Sequence, residues 1–128
     1  MTGEHGTFFW NELMTRDVEA AKAFYGEALG WTFDEMPMGD DGSYWVCKSG
    51  DKTVGGIFSI AGSEFEGAVD HWHAYIAVDD VDARVEKAKA KGGKLQRPLF
   101  DVPEIGRIAM LEDKTGAEIG WITPAPQG

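Results

Sequence analysis

A chain of 128 residues with 43% hydrophobic side chains can bury one core, so we expect a single domain over residues 1–128. Its formal net charge of −10 argues against nucleic-acid binding, because a phosphate backbone would be repelled. No apolar run approaches the roughly 20 residues of a membrane span, and the single cysteine, Cys47, suits a reducing compartment. We therefore expect a cytoplasmic protein with no membrane or nucleic-acid partner.

The first half of the chain predicts one strand, one helix and three further extended segments. Residues 7–14 alternate like a strand, and Asp17 stands where a helix N-cap is expected. Three apolar residues then recur at helical spacing, and Gly30 suits the end of the helix. These three residues, which we expect to face the core, are Ala20, Phe24 and Ala28.

The second half repeats this order of elements. Residues 71–78 alternate like a strand, Asp80 is the expected N-cap, and Gly92 and Gly93 suit the helix end. The apolar positions of this helix are Val81, Val85 and Ala88.

The two halves also share sequence at nearly constant offsets. "RDVEAAKAFYGEALGW" aligns with "DDVDARVEKAKAKGGK" at an offset of 63 residues, and "GDKTVGGIFSI" aligns with "EDKTGAEIGWI" at an offset of 62. Two collinear matches at nearly one offset indicate an internal duplication. We predict two tandem βαβββ modules, over about residues 7–62 and 70–123.

The chain resembles the vicinal oxygen chelate superfamily, the glyoxalase/bleomycin-resistance/dioxygenase family. The residues that carry the resemblance are "DVEAAKAFYGEALGW", "HWHAYIAVDDVDARVEKAKAKGG" and "GRIAMLEDKTGAEIGWI", and it extends over Thr7–Thr123. It implies an α+β fold in which two βαβββ modules form a cup-shaped mixed sheet with the helices outside. It also implies a small-molecule ligand in the cleft, a divalent metal in some members and often a homodimer.

The resemblance places four metal positions, one on the first and one on the last strand of each module. They fall on His73 and Gly120 in the second module, and the duplication maps these to Trp10 and Phe58. Tryptophan, phenylalanine and glycine offer no metal ligand, so we predict no metal site and no cofactor. A displaced site is the alternative, because strand parity puts Glu12, His71, His73 and Glu118 on the same face.

That face is the predicted ligand site, and an aromatic and acidic wall suits a planar or cationic organic molecule. The alternatives are that the rings fill the cup, or that Glu12 or His73 acts as base in a lyase, isomerase, epimerase or dioxygenase-like enzyme. Residues of opposite parity should pack under the helices, namely Leu13, Trp72, Ile76, Ile119 and Trp121, and Cys47 should be a buried thiol. The predicted ligand contacts are Phe8, Trp10, Glu12, Phe58, His73, Tyr75 and Glu118.

Overall fold

The computed structural model describes residues 4–37, 43–62, 67–102 and 105–125. The chain divides into a middle unit, Asn11–His73, and a terminal unit, Met1–Trp10 with Ala74–Gly128. No helix in the described ranges is long and apolar enough to cross a membrane. The elements in chain order are β1 Phe8–Thr15, α1 Val18–Leu29, β2 Thr32–Pro37, β3 Ser43–Ser49, β4 Lys52–Ser59, β5 His71–Ala77, α2 Val81–Ala90, β6 Lys94–Leu95, β7 Phe100–Val102, β8 Gly106–Glu112 and β9 Glu118–Pro124.

Each unit contains a mixed sheet with the same strand order. In the middle unit the order is β2-β3-β4-β1, with β1 and β4 parallel and the other pairs antiparallel. In the terminal unit it is β6-β8-β9-β5, with β5 and β9 parallel. The short strand β7 is added there and pairs with β8. The predicted α+β class and the two βαβββ modules are confirmed, with β7 as an insertion.

Both predicted helix starts are confirmed. The side chain of Asp17 accepts a hydrogen bond from the backbone N–H of Ala20 at 3.0 Å, and Asp80 accepts one from Ala83 at 3.2 Å. Gly30 ends α1 in the left-handed conformation at φ 75°, whereas Lys91 is the C-cap of α2. Such caps satisfy backbone groups that the helix itself leaves without partners.

The core of the middle unit lies between α1 and its sheet. Leu13, Cys47 and Ile57 are buried there, and the helix packs against them through Val18, Ala21 and Tyr25. The predicted core face of α1 is therefore wrong. Its three residues, Ala20, Phe24 and Ala28, are exposed.

The physical reason is that Tyr25 finds large aromatic partners on the sheet side. Its ring stacks on Trp31 at 5.3 Å and meets Trp72 edge-on at 5.6 Å. These contacts turn the Tyr25 face of α1 toward the sheet, and Phe24 is left 62% exposed. Helix α1 has two apolar stripes, and tertiary packing buries the one that contains Val18, Ala21 and Tyr25 instead of the predicted one.

The terminal unit has apolar clusters on both faces of its sheet. Val81 and Val85 of α2 pack with Ala109 and Leu111, and Trp121 adds to this cluster. A second cluster, on the alternate positions of the same strands, centres on Tyr75, Ile108 and Ile122. The predicted inward packing of Ile76, Ile119 and Trp121 under α2 is confirmed, as is that of Leu13 under α1.

The registers of the two parallel strand pairs correct one mapping made from the sequence. Glu12 of β1 lies opposite Gly56 of β4, and Tyr75 of β5 lies opposite Gly120 of β9. Because Glu12 and Tyr75 correspond at the 63-residue offset, the counterpart of Gly120 is Gly56 rather than Phe58.

The Asp-Lys-Thr motif misled the mapping because it occupies different places in the two hairpins. In the middle unit a two-residue turn separates β3 from β4, so Lys52 already begins a strand. In the terminal unit five residues separate β8 from β9, and Lys114 lies in that turn. A bulge between Cys47 and Lys48 shifts the first hairpin further.

Candidate functional site

In the terminal unit, two of the predicted ligand residues belong to one apolar cluster. Tyr75 is only 5% exposed and packs with Ile108 and Ile122, and Trp10 lies half-buried against the same group. Tyr75 therefore acts mainly as a core ring, and Trp10 is the more accessible of the two.

The other two predicted residues of this unit are exposed. Phe8, near the start of β1, is 69% exposed. Glu118 begins β9, and its Oε1 accepts a hydrogen bond from Nε2 of Gln96 at 3.0 Å. In the same unit, the Arg107 guanidinium pairs with Asp82 at 2.8 Å and with Asp101 at 3.0 Å.

The middle unit carries the remaining predicted residues. Glu12 and Phe58 are half-buried, and His73 is 3% exposed. The imidazole rings of His71 and His73 lie 5.8 Å apart at 76° to one another, as expected for alternate residues of one strand. His71 is half-buried, and its Nδ1 lies 2.7 Å from the carbonyl oxygen of Val69.

A polar network holds the start of β5 beside the end of β1. The hydroxyl of Thr15, which is 4% exposed, donates to Oδ2 of Asp70 at 2.7 Å. The same oxygen of Thr15 accepts from the backbone N–H of Asp17 at 3.1 Å. The hydrogen bond from Thr15, helped by one from the backbone of Arg16, lowers the pKa of the Asp70 carboxyl.

Tyr44 of β3, which the sequence analysis missed, lies on the same face of the middle sheet as Glu12. A side chain at Gly56 would collide with the phenol of Tyr44, so that ring fills the space beside Gly56. Glu12 pairs directly with Gly56, and directly paired residues project from the same face of a sheet. Tyr44 and Glu12 therefore flank the same glycine. The available signal was the Gly55–Gly56 pair in a strand across a short hairpin from an aromatic residue.

The residues at the family's metal positions do not fit a metal ion. Trp10 and both glycines, Gly56 and Gly120, supply no donor atom, which leaves His73. Within the four described ranges, no group of three or more His, Cys, Asp or Glu side chains is placed to hold one.

Two further side chains are placed as follows. Trp72 donates from Nε1 to the hydroxyl of Tyr25 at 3.1 Å, but it remains 41% exposed instead of fully covered by α1. Cys47 is fully buried, and burial raises the pKa of its thiol to about 11, so it is a structural thiol, as predicted.

Comparison with known proteins supports a family assignment. Over 127 residues the chain is 41% identical to "Putative glyoxylase CFP32" of Mycobacterium tuberculosis, which covers 99% of this chain and 48% of that protein. It is 29% identical to the anthracycline biosynthesis protein DnrV of Streptomyces peucetius, over 84% of this chain and 43% of that protein. The chain thus spans about half the length of these relatives.

Solved structures share the fold at low sequence identity. The methylmalonyl-CoA epimerase of Mycobacterium tuberculosis superposes with a TM-score of 0.68 at 16% identity, covering 94% of this chain and 89% of that one. A hypothetical protein from Bacillus halodurans gives a TM-score of 0.71 at 12% identity, covering 98% and 99%. Residues 7–120 match the family model of the Glyoxalase/Bleomycin resistance protein/Dioxygenase superfamily, so the chain belongs to that superfamily.

Proposed function

We propose that this glyoxalase-like protein binds a small organic molecule, planar or cationic, without a metal ion. The observation that carries the proposal is the register of the two parallel strand pairs. It puts glycine, which has no donor side chain, at both last-strand positions where the family resemblance places a metal ligand. The space beside Gly56 is filled by the Tyr44 phenol, which suits contact with an organic ligand better than metal coordination.

The predicted contacts differ in how much surface they offer. Trp10, Glu12 and Phe58 are half-buried, which leaves part of each side chain accessible for binding. Phe8 and Glu118 are exposed, whereas His73 and Tyr75 are buried and would support the site from within. We therefore assign the main contacts of the middle unit to Glu12 and Phe58, and that of the terminal unit to Trp10. Tyr44 is added to them.

The affinity such contacts can supply is limited. An aromatic stack and a cation over a ring each contribute about 1 kcal/mol, and a partly desolvated carboxylate somewhat more. A micromolar dissociation constant corresponds to about −8 kcal/mol, so several contacts must act together.

The test is a titration of matched cationic and neutral aromatic compounds against the wild type and two variants. Glu12→Gln should weaken the cationic compounds about tenfold and leave the neutral ones unchanged, because only the former lose a charge partner. Trp10→Ala should weaken both classes. Glu27→Gln, an exposed carboxylate on α1, is the charge-matched control and should change neither.

Equal weakening of both classes by Glu12→Gln would show that this carboxylate is structural. Failure of every compound to bind the wild type would favour a fold whose rings fill the site.

Metal-free isomerase or epimerase chemistry is the second candidate. It is favoured by the Tyr44 phenol beside Gly56, on the face that carries Glu12, since a base and a hydroxyl donor suit proton abstraction next to a carbonyl. Incubation of candidate carbon acids in deuterated water, followed by NMR, tests it. Exchange that Glu12→Gln abolishes would promote this function, and no exchange by the wild type would remove it.

A further inference from the structure

The terminal unit contains a groove of about 470 Å³ on the face that carries α2. Ile76, Val78, Ala88 and Trp121 form apolar parts of its lining. Ile76 and Trp121 have the opposite strand parity to Tyr75 and Ile122, so this groove is separate from the predicted ligand face. Its volume lies within the range of about 300–1,000 Å³ that is usual for small-molecule sites.

Cations of α2 line the same groove. Arg84 and Lys87 lie in α2 and Lys91 is its C-cap; their spacings of three and four residues place them along one side of the helix and its end. None of the residues that line the groove is a carboxylate. The chain as a whole carries a net charge of −10, so three cations beside an apolar groove form a locally positive region on an acidic protein.

The three cations are not equivalent. Arg84 is held by Asp79 through two hydrogen bonds of 2.8 Å and 2.9 Å, so its charge is largely compensated. Lys87 and Lys91 have no carboxylate at ion-pair distance within the described part of the chain. Lys89 is two residues from each of them, so it lies on the other side of the helix, and it pairs with Glu86 at 3.3 Å. Lys87 and Lys91 are therefore the cations available to an anion in the groove.

We propose that this groove binds an amphipathic carboxylate, with its apolar body against Trp121 and Ala88 and its carboxylate between Lys87 and Lys91. An apolar floor with two cations at one rim matches the two ends of such a molecule, and a neutral hydrocarbon would use only the floor. The site is independent of the ligand face proposed above.

The experiment is isothermal titration with decanoate and, as the neutral analogue, decanol. The double variant Lys87→Gln/Lys91→Gln should weaken decanoate about tenfold, since two partly exposed ion pairs are lost, and leave decanol within about twofold. Lys89→Gln is the control, because it removes a lysine charge from the same helix outside the groove, one charge where the double variant removes two. Trp10→Ala should also leave decanoate unchanged, which separates this site from the other face.

Three results would overturn the proposal. They are no binding of decanoate by the wild type, equal weakening of decanoate by Lys89→Gln, and equal weakening of decanoate and decanol by the double variant. Thermal unfolding of each variant checks that the fold is retained, because lysines near a helix C-terminus also stabilise the helix.

Discussion

Three residues, Gly56, Gly120 and Tyr44, determine which chemical groups lie at the last-strand positions of the two sheets. Gly56 and Gly120, which have no donor side chain, stand at the two last-strand positions where the family resemblance places metal ligands, and the Tyr44 phenol fills the space beside the first of them. The loss of metal ligands at Trp10 and Gly120 could be predicted from the sequence alone. The role of Tyr44 could not be predicted from the sequence, because it depends on how far the ring extends from β3 over the neighbouring strand β4.

Substituting Gly56 tests the placement of Tyr44. Gly56→Ala puts a methyl group where the phenol lies, so we expect a loss of about 1–3 kcal/mol in the free energy of unfolding, measured in denaturant. Gly26→Ala is the control in the same unit, because a methyl group there meets only ordinary contacts at 3.7 Å. That helical substitution should stabilise by roughly 0.5–1 kcal/mol.

A Tyr44→Ala background completes this test. If the ring causes the collision, Gly56→Ala should cost little once the ring is absent. An unchanged cost in that background would contradict the placement of Tyr44.

The Asp70 carboxyl makes stability depend on pH. Its pKa is lowered in the folded protein by the Thr15 hydroxyl, so its contribution is present above the unfolded pKa of about 3.9 and is lost as the pH falls through the folded pKa. The difference in stability between the wild type and Asp70→Asn should therefore be largest near neutral pH and shrink in acid. Denaturant unfolding over a pH series measures it, and a difference that does not change with pH would contradict this assignment.

At the scale of elements, local signals were sufficient for the helices and insufficient for the way they pack. The N-caps at Asp17 and Asp80 follow from short-range chemistry, so the sequence predicted both helix starts. The prediction of which face of α1 is buried was wrong, because either Tyr25 or Phe24 could have faced the sheet. The contacts of Tyr25 with Trp31 and Trp72 decide between them, and these contacts depend on the tertiary structure. The predicted alignment of β4 with β9 was wrong because a shared Asp-Lys-Thr motif shows neither the length of each hairpin nor the bulge in the first one.

The cap of α1 can be tested directly. Asp17→Ala removes the acceptor for the Ala20 N–H and should cost about 1 kcal/mol in the free energy of unfolding. Asp17→Asn keeps an acceptor oxygen and should cost much less, as measured by the same denaturant titration. An equal loss in both variants would mean that the charge matters more than the hydrogen bond.

At the scale of the whole molecule, the duplication explains most of what the sequence could reveal. The same βαβββ order and the same strand order recur in both units, and residues 7–120 match one family. What the chain binds does not follow from that match, because one fold serves many reactions and side chains at the site decide among them. The chain also spans about half the length of its named relatives. The cytoplasmic location, the homodimer and the binding of a planar or cationic small molecule stay predictions.

The central claim is that this member of the family binds its ligand without a metal, and metal content tests it most directly. The protein should be purified without chelator, equilibrated with zinc, nickel, manganese and iron in turn, dialysed, and measured by elemental analysis. We predict far less than one metal ion per chain, because His73 is the only donor at the four family positions. One ion per chain in the wild type, lost in His73→Ala, would contradict the account.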